Sequence, residues 1–379
     1  MTLVVTNARV VLPGRLLDGW VQVDDATVTA VGDGVPPPGE HVDIAGAWLA
    51  PGFVDMHVHG GGGASFQSGD PTEVQRVART HRQRGTTTVM ASLVTRPVAE
   101  LVESISRLRD LVADGVVAGI HLEGPFLSAR RCGAHDPAYL VAPDRAAVGR
   151  LVDACGDVPT MVTIAPELDG GPDAVSALAD AGVVVAVGHT DATYEQARGA
   201  VEAGARVATH LYNAMPPAHH RHPGPVPALL EDDRVVVELI EDREHLHDAV
   251  FRAAVRAAGP ARVALVSDGI SATGLGDGDY MLGGLQVEVR RGAARLAGRD
   301  SLAGSTVTVA QAVRNAVANG VPLCDAVTCA SLTPARALGL EDRVGRIAPG
   351  LAADLVVLDA DLGVTAVMAG GRWVTEADR

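Results

Sequence analysis

Eight short, nearly continuous apolar runs punctuate the middle of the chain: GFVDMHVH from Gly52, TTTVMASLV from Thr86, VVAGIHLE from Val116, TMVTIAP from Thr160, VVVAVGH from Val183, ARVATH from Ala205, VVVELI from Val235 and RVALVSD from Arg262. Runs of this kind read as strands buried on both faces, as in a parallel sheet. Between them lie amphipathic stretches long enough for helices, such as Thr72–Arg84, Val98–Ala113 and Asp191–Ala203. Strand and helix in alternation predict an α/β fold, a (β/α)8 TIM-like barrel over residues 51–340. A doubly wound open sheet is the structural alternative.

The two ends depart from that alternation. Residues 1–50 and 341–379 carry short β patterns, among them LVVTNARVVL and ADLVVLDADLGVTAVMAGGRWV, with turn signals between them. They predict a small β-sandwich domain assembled from both termini, interrupted by the breaker VPPPGE at Val35–Glu40. A further strand pair around Tyr280–Leu296 predicts a β-hairpin insertion near 279–297.

Composition narrows the function. The formal net charge is −15, which argues against nucleic acid or an anionic membrane as partner, since phosphate binding without sequence preference needs a basic surface. No apolar run reaches the roughly 18 residues of a membrane helix. The start MTLVVTNARVV reads as a strand rather than a signal peptide, so a cytoplasmic location is expected. Cys132, Cys155, Cys324 and Cys329 form no CxxC pair, which suits reduced thiols. There is no lysine, so all 31 basic residues are arginine. That excludes a Schiff-base lysine, a P-loop lysine and a carboxylated-lysine metal bridge.

The chemistry-bearing side chains fall at strand ends. His57 and His59 end the first run, Glu123 the third, His189 the fifth, His210 the sixth and Asp268 the eighth. Active sites of such barrels lie at the C-terminal ends of the strands, and residues two apart on a strand share a face, as His57 and His59 do. Taken singly, each histidine could be a hydrogen-bonded structural residue, Glu123 an arginine partner and Asp268 a helix cap. Six such groups on one rim point instead to a divalent-metal site. The glycines Gly60–Gly63 lack GxGxxG spacing and read as a flexible turn that lets the backbone pass the metal.

The segments PGFVDMHVHG, HLEGPFL, GHTDATY, THLYNAM, HLYNAMPPAHHRHPG and SDGISATG resemble the amidohydrolase superfamily and, within it, the N-acetylglucosamine-6-phosphate deacetylase family. The resemblance extends over essentially the whole chain, through TPARALGL to the C-terminal ADLVVL. It implies that Glu123, His189 and His210 bind a divalent metal, with a second ion on His57 and His59 bridged by Glu123 in members that keep HxH. Zinc is the first expectation, and iron, manganese or cobalt suit the same donors. It implies that His135, in CGAHDP, reaches the substrate as a second donor to the carbonyl oxygen; a solvated loop histidine is the alternative. Asp268 is placed to act as general base and then general acid.

The implied substrate is a small-molecule amino-sugar phosphate. Asn213, the backbone amide groups at Ala214, Arg221 and His245 match the family's sugar-phosphate contacts, and in relatives the arginine comes from the other subunit, so a homodimer with Arg221 acting in trans is expected. A solvated basic loop is the other reading of His219–His222. Two departures stand out. Arg243 occupies a position that is usually glycine, where it would either add a phosphate contact or crowd the pocket, and Gly269 follows Asp268 where alanine is commoner. Cys132 lies two residues before the GAH loop's alanine, either as a modifiable thiol or as an inert one. The expected reaction is release of acetate from N-acetylglucosamine 6-phosphate. The alternatives are N-acetylgalactosamine 6-phosphate, an N-acyl amino acid, or a noncatalytic scaffold.

Overall fold

The computed structural model describes residues 2–374. Its centre is an eight-stranded parallel sheet: β1 (Phe53–Asp55), β2 (Thr86–Val94), β3 (Gly119–Glu123), β4 (Thr160–Ile164), β5 (Val184–Val187), β6 (Val207–Ala208), β7 (Val236–Leu239) and β8 (Val263–Leu265), each paired with its sequence neighbour. The sheet closes on itself just past its first and last strands. There the Asp268 N–H donates to the His57 carbonyl at 2.9 Å, the His59 N–H donates to that of Gly269 at 2.8 Å, and Val58 bridges Gly269 in parallel. Closure excludes the open-sheet alternative.

The barrel's interior is apolar below and polar above. Val54, Met56, Met90, Met161, Ala186, Val207 and Ala264 are buried together, with Leu338 and Leu340 packed against them beyond the helix Leu332–Ala337. Full burial of each methionine contributes about 1.5–3 kcal/mol, and its flexible chain fills the irregular space inside a tapering barrel. A second apolar layer, including Phe53, Ile105, Leu108, Ile120 and Phe251, lies between strands and helices. The functional groups are thereby displaced to the upper rim.

The helices follow the expected spacing, with shifts at their ends. The first begins at Pro71 because Asp70 caps it, accepting from the N–H groups of Thr72 and Glu73. The helix expected from Asp191 begins only at Tyr194. Glu167 accepts from the Asp191 N–H at 2.6 Å, outside the helix, while Thr193 and Gln196 form a reciprocal capping box.

Both termini build one eight-stranded mixed sheet in which Trp48–Pro51 lies between Thr2–Leu12 and Leu355–Leu358. The sheet curls so far that Val28, on its outer strand, donates to the Leu351 carbonyl and Ala353 donates to that of Ala26. It encloses its own core of Val5, Val10, Val21, Val23, Leu49, Leu355 and Met368. The prolines of VPPPGE lie between the strands Thr27–Gly32 and Glu40–Asp43, the second of which begins at its Glu40. The insertion after β8 has three antiparallel strands, Gly278–Leu282, Leu285–Arg290 and Ala293–Leu296, rather than a pair. No helix among the described residues is long and apolar enough to cross a membrane.

Gly60–Gly63 forms a turn, as expected, and it is a tight β-hairpin that directly follows His59. Gly60–Gly61 pairs with Ala64–Ser65, and Gly62 and Gly63 turn the hairpin at φ of +60° and +81°, the left-handed region a two-residue turn demands. The hairpin packs on the first helix, where the His81 ring lies 2.9 Å from the Gly60 carbonyl oxygen.

Just past β7, Glu241 is buried and receives a hydrogen bond from Asn319 at 2.8 Å, while its second oxygen has no partner. Burial pushes its carboxyl up to about 7. A folded-state value above the ordinary 4.5 means that stability is fully present below the unfolded value and is lost as pH rises through about 7. Glu241→Gln, whose amide oxygen can still accept from Asn319, is therefore expected to raise the melting temperature at pH 8 by a few degrees. The gain should vanish toward pH 5, as thermal denaturation across that range would show.

Candidate metal centre

Five imidazole Nε2 atoms surround the Glu123 carboxylate. Those of His189 and His210 are each 3.0 Å from Oε1, that of His57 is 3.5 Å from Oε1, and those of His59 and His135 are 3.1 and 3.2 Å from Oε2. All six residues are buried. They divide into two triads sharing Glu123, namely His57–His59–Glu123 and Glu123–His189–His210, in each of which the ligand atoms lie within 4.8 Å of one another. Asp268 faces the first triad, its Oδ1 3.2 Å from His59 Nε2 and 3.5 Å from His57 Nε2. Its side chain caps no helix.

The outer ring nitrogens determine what the inner ones offer. His57 Nδ1 meets a Glu238 carboxylate oxygen at 3.0 Å, His59 Nδ1 the Ser92 carbonyl at 3.2 Å, and His189 Nδ1 the Arg131 carbonyl at 2.8 Å. Each of these is an acceptor, so Nδ1 carries the proton and Nε2 turns a lone pair inward. Yet the Nε2 atoms of His57 and His59 are 3.2 Å apart, and those of His189 and His210 are 3.0 Å apart. Lone pairs facing each other and a carboxylate at such distances repel unless a positive charge lies among them. The donor set therefore fits two divalent cations bound by imidazole and carboxylate.

With protons as the only neutralising charge, the same demand appears as titration. Burial opposes ionisation of Asp268, but the charge of His57 and the hydrogen bond from His59 hold its carboxyl down at about 2. Burial likewise opposes charge on His59, whose bonds to Asp268 and Glu123 nevertheless push it up to about 9. Glu123 is held well below the usual carboxylate range, with burial opposing and His57, His135 and His189 winning.

His135 differs from the other four rings. The Thr95 N–H points at its Nδ1 at 3.2 Å, so Nδ1 accepts and Nε2 carries the hydrogen. Burial lowers its pKa to about 4, leaving a neutral N–H donor that faces the cavity. The reading of His135 as a solvated loop residue does not survive its burial.

Backbone strain is concentrated here. His189, His210, Tyr212, Ala214 and Asp268 all have positive φ, from +27° to +79°. Such conformations cost on the order of 1–3 kcal/mol each and persist where the surroundings impose them. Beneath the rim, His121 is not a candidate ligand. It lies between Ser92 Oγ at 2.9 Å and Thr163 Oγ1 at 2.8 Å, and Ser92 Oγ also accepts from the Val58 N–H, so the Ser92 hydroxyl points at His121.

A cavity of about 500 Å³ opens over the triads. Of the expected substrate contacts, Asn213, Ala214 and His245 line it, as do His135 and Asp268. His245 gives its Nδ1 hydrogen to Asp242 at 2.7 Å, and Asp242 also accepts the N–H groups of Glu244 and His245. That local turn explains the Asp-x-x-His spacing. Despite burial, the Asp242 hydrogen bond raises the His245 pKa, favouring a cation for an anionic ligand.

Arg221 does not line this cavity; it is exposed, with its guanidinium 2.7 Å from His220 Nε2. Arg243 is exposed too and neither crowds nor extends the pocket, and its φ of +67° explains why glycine suits the position. Cys132 is a free thiol beside the lining residues Arg131 and Gly133. Sequence reasoning missed Ser92, Thr95, Glu238 and three cavity arginines, Arg130, Arg131 and Arg295. Of these only Glu238 carried a signal, as a lone acid inside VVVELI.

Residues 48–374 match the Amidohydrolase family. The structure superposes with a TM-score of 0.95 on a solved mutant N-acetyl-D-glucosamine-6-phosphate deacetylase from Mycobacterium smegmatis in complex with N-acetyl-D-glucosamine-6-phosphate, at 48% identity over 99% of this chain and 100% of that one. N-acetylglucosamine-6-phosphate deacetylase of Lysinibacillus sphaericus is 34% identical, covering 98% of this chain and 97% of its own. N-acetylgalactosamine-6-phosphate deacetylase of Escherichia coli O157:H7 is also 34% identical, covering 95% of each. A closed barrel, two histidine pairs bridged by one glutamate, and likeness over nearly the full length lead to one conclusion: the chain belongs to the N-acetylglucosamine-6-phosphate deacetylase family of the amidohydrolase superfamily.

Proposed function

We infer that this chain is a metal-dependent hydrolase that converts N-acetylglucosamine 6-phosphate to glucosamine 6-phosphate and acetate. The observation that carries this reading is Glu123 bridging two histidine pairs with Asp268 beside them, at the floor of a cavity that His135, Asn213 and His245 also line. His57, His59, Glu123, His189 and His210 would hold two divalent ions, zinc foremost for this imidazole and carboxylate set. A bound divalent ion lowers the pKa of water from 15.7 toward about 7 and polarises a carbonyl oxygen.

The chain's own groups complete the reaction. Asp268 Oδ1 accepts a proton from the attacking water and returns it to the amide nitrogen as the C–N bond breaks, a role worth about 10²- to 10⁴-fold in rate. His135, neutral with its hydrogen on Nε2, donates to the carbonyl oxygen as negative charge develops there. His245, held by Asp242, and Asn213 take the phosphate end of the substrate. A cytoplasmic setting agrees with four free cysteines.

We place Arg221 in trans. Its exposure, turned to His220 rather than into its own cavity, supports a role at the phosphate of a second subunit in a homodimer. Arg221→Ala is expected to raise KM about tenfold or more for the phosphorylated sugar, from the loss of charge-assisted hydrogen bonds worth about 1.5–3 kcal/mol. It should leave the unphosphorylated sugar unaffected, as steady-state kinetics on the two would show.

The function itself is tested by acetate release from N-acetylglucosamine 6-phosphate, N-acetylgalactosamine 6-phosphate and unphosphorylated N-acetylglucosamine, with metal-replete protein. The first should be preferred. The second has its own support in the N-acetylgalactosamine-6-phosphate deacetylase that matches 95% of this chain, and a preference for it would move the assignment to that sugar. Release from none of the three would remove the deacetylase reading.

A further inference from the structure

Glu238 is a fully buried carboxylate on β7, in a run of otherwise apolar residues from Val235 to Ile240. Its Oε2 accepts twice, from His57 Nδ1 at 3.0 Å and from the backbone N–H of His210 at 3.1 Å. Its Oε1 is buried with no hydrogen-bond partner, and among the described residues no arginine forms an ion pair with it. A buried carboxylate so poorly compensated costs several kcal/mol relative to an apolar side chain of similar size. Packing therefore does not account for it.

What it touches does. His59 and His189 give their Nδ1 hydrogens to neutral backbone carbonyls, and His210 Nδ1 has no partner. Of the four histidines in the two triads, His57 alone has a carboxylate on its outer nitrogen, Nδ1. A carboxylate on Nδ1 fixes the tautomer, aims the ring and makes Nε2 a stronger donor to a metal. The same oxygen holds the backbone of His210, at φ +27°, in the other triad.

We propose that Glu238 is a positioning residue that sets the metal affinity of the His57–His59–Glu123 triad by orienting and polarising His57. The proposal rests on the two-ion reading given above. Both hydrogen bonds end on one oxygen, so Glu238→Gln can keep them, including the one to His210, and remove only the charge behind His57.

The test is calorimetric titration of metal-free wild type and Glu238→Gln with cobalt(II), with His57→Ala used to assign the binding event of the His57 triad. The wild type should bind two ions. In Glu238→Gln the event assigned to the His57 triad should weaken by about 10- to 100-fold, with the other changed less than about threefold. The lost activity should return at saturating cobalt, and the metal-free variant should melt as the metal-free wild type does, which a defect in folding would not allow. Should Glu238→Gln fail to fold, Glu238→Asp, which keeps the charge but withdraws it from Nδ1, should weaken the same event. Unchanged titration, equal weakening of both events, or activity that saturating cobalt does not restore would overturn the proposal. A wild type that takes one ion, indifferent to His57→Ala, would overturn the two-ion reading together with the proposal. Two ions weakened equally by Glu238→Gln would overturn the proposal alone.

Discussion

Asp268→Asn is expected to lower kcat by at least about 10²-fold while leaving the fold and the ion of the Glu123–His189–His210 triad in place. The residue's backbone is held independently of its side chain. Its N–H donates to the His57 carbonyl at 2.9 Å and its own carbonyl accepts from the Ser305 N–H at 2.8 Å, which impose the φ of +47°. Asparagine is isosteric and tolerates that conformation better than most residues. The surrounding backbone is closed against bulk, since a Cβ added to Gly304 would lie 2.7 Å from the Asp268 carbonyl. What the substitution removes is a carboxylate oxygen able to take a proton 3.2 Å from His59 Nε2. Because the loss falls on proton transfer, kcat should drop with KM little changed. Steady-state kinetics beside metal analysis of the purified variant would separate the two effects, and near-normal turnover would take Asp268 out of the reaction.

How far the site could be read in advance depended on the kind of signal each residue leaves. Strands buried on both faces appear as apolar runs whatever surrounds them, so the barrel was legible, and barrel topology then brought distant residues such as His57, Glu123 and Asp268 to one rim. Local competition was harder to see. The helix after β5 starts three residues later than its periodicity suggests because Glu167, far along the chain, captures the Asp191 N–H. The insertion gained a third strand because Ala293–Leu296 pairs across a turn whose residues carry little pattern. Arg295 enters the cavity only through that insertion, which sequence spacing does not place over the site. Arg221 was singled out by charge, yet charge did not place it, and it lies outside the cavity beside His220.

Glu123→Ala is expected to abolish high-affinity binding in both triads, whereas His57→Ala or His189→Ala should each impair mainly one. The two oxygens of Glu123 are within 3.5 Å of five ring nitrogens, so on the two-ion reading one side chain would supply the anionic donor to both triads and offset the repulsion between their charges. Loss of a partner that only orients a metal ligand costs about 10- to 100-fold in affinity, so loss of a shared ligand should exceed the upper end of that range at each triad. Thermal stability gives a second readout. Ions that bind only the native state raise the melting temperature with concentration, so wild type should melt higher with cobalt than after chelation, and Glu123→Ala should melt alike in both. Metal analysis after dialysis should find less than one ion per chain in the variant. A full-affinity ion retained in either triad would mean that Glu123 serves the other ion only and that the retained ion is held without a shared carboxylate.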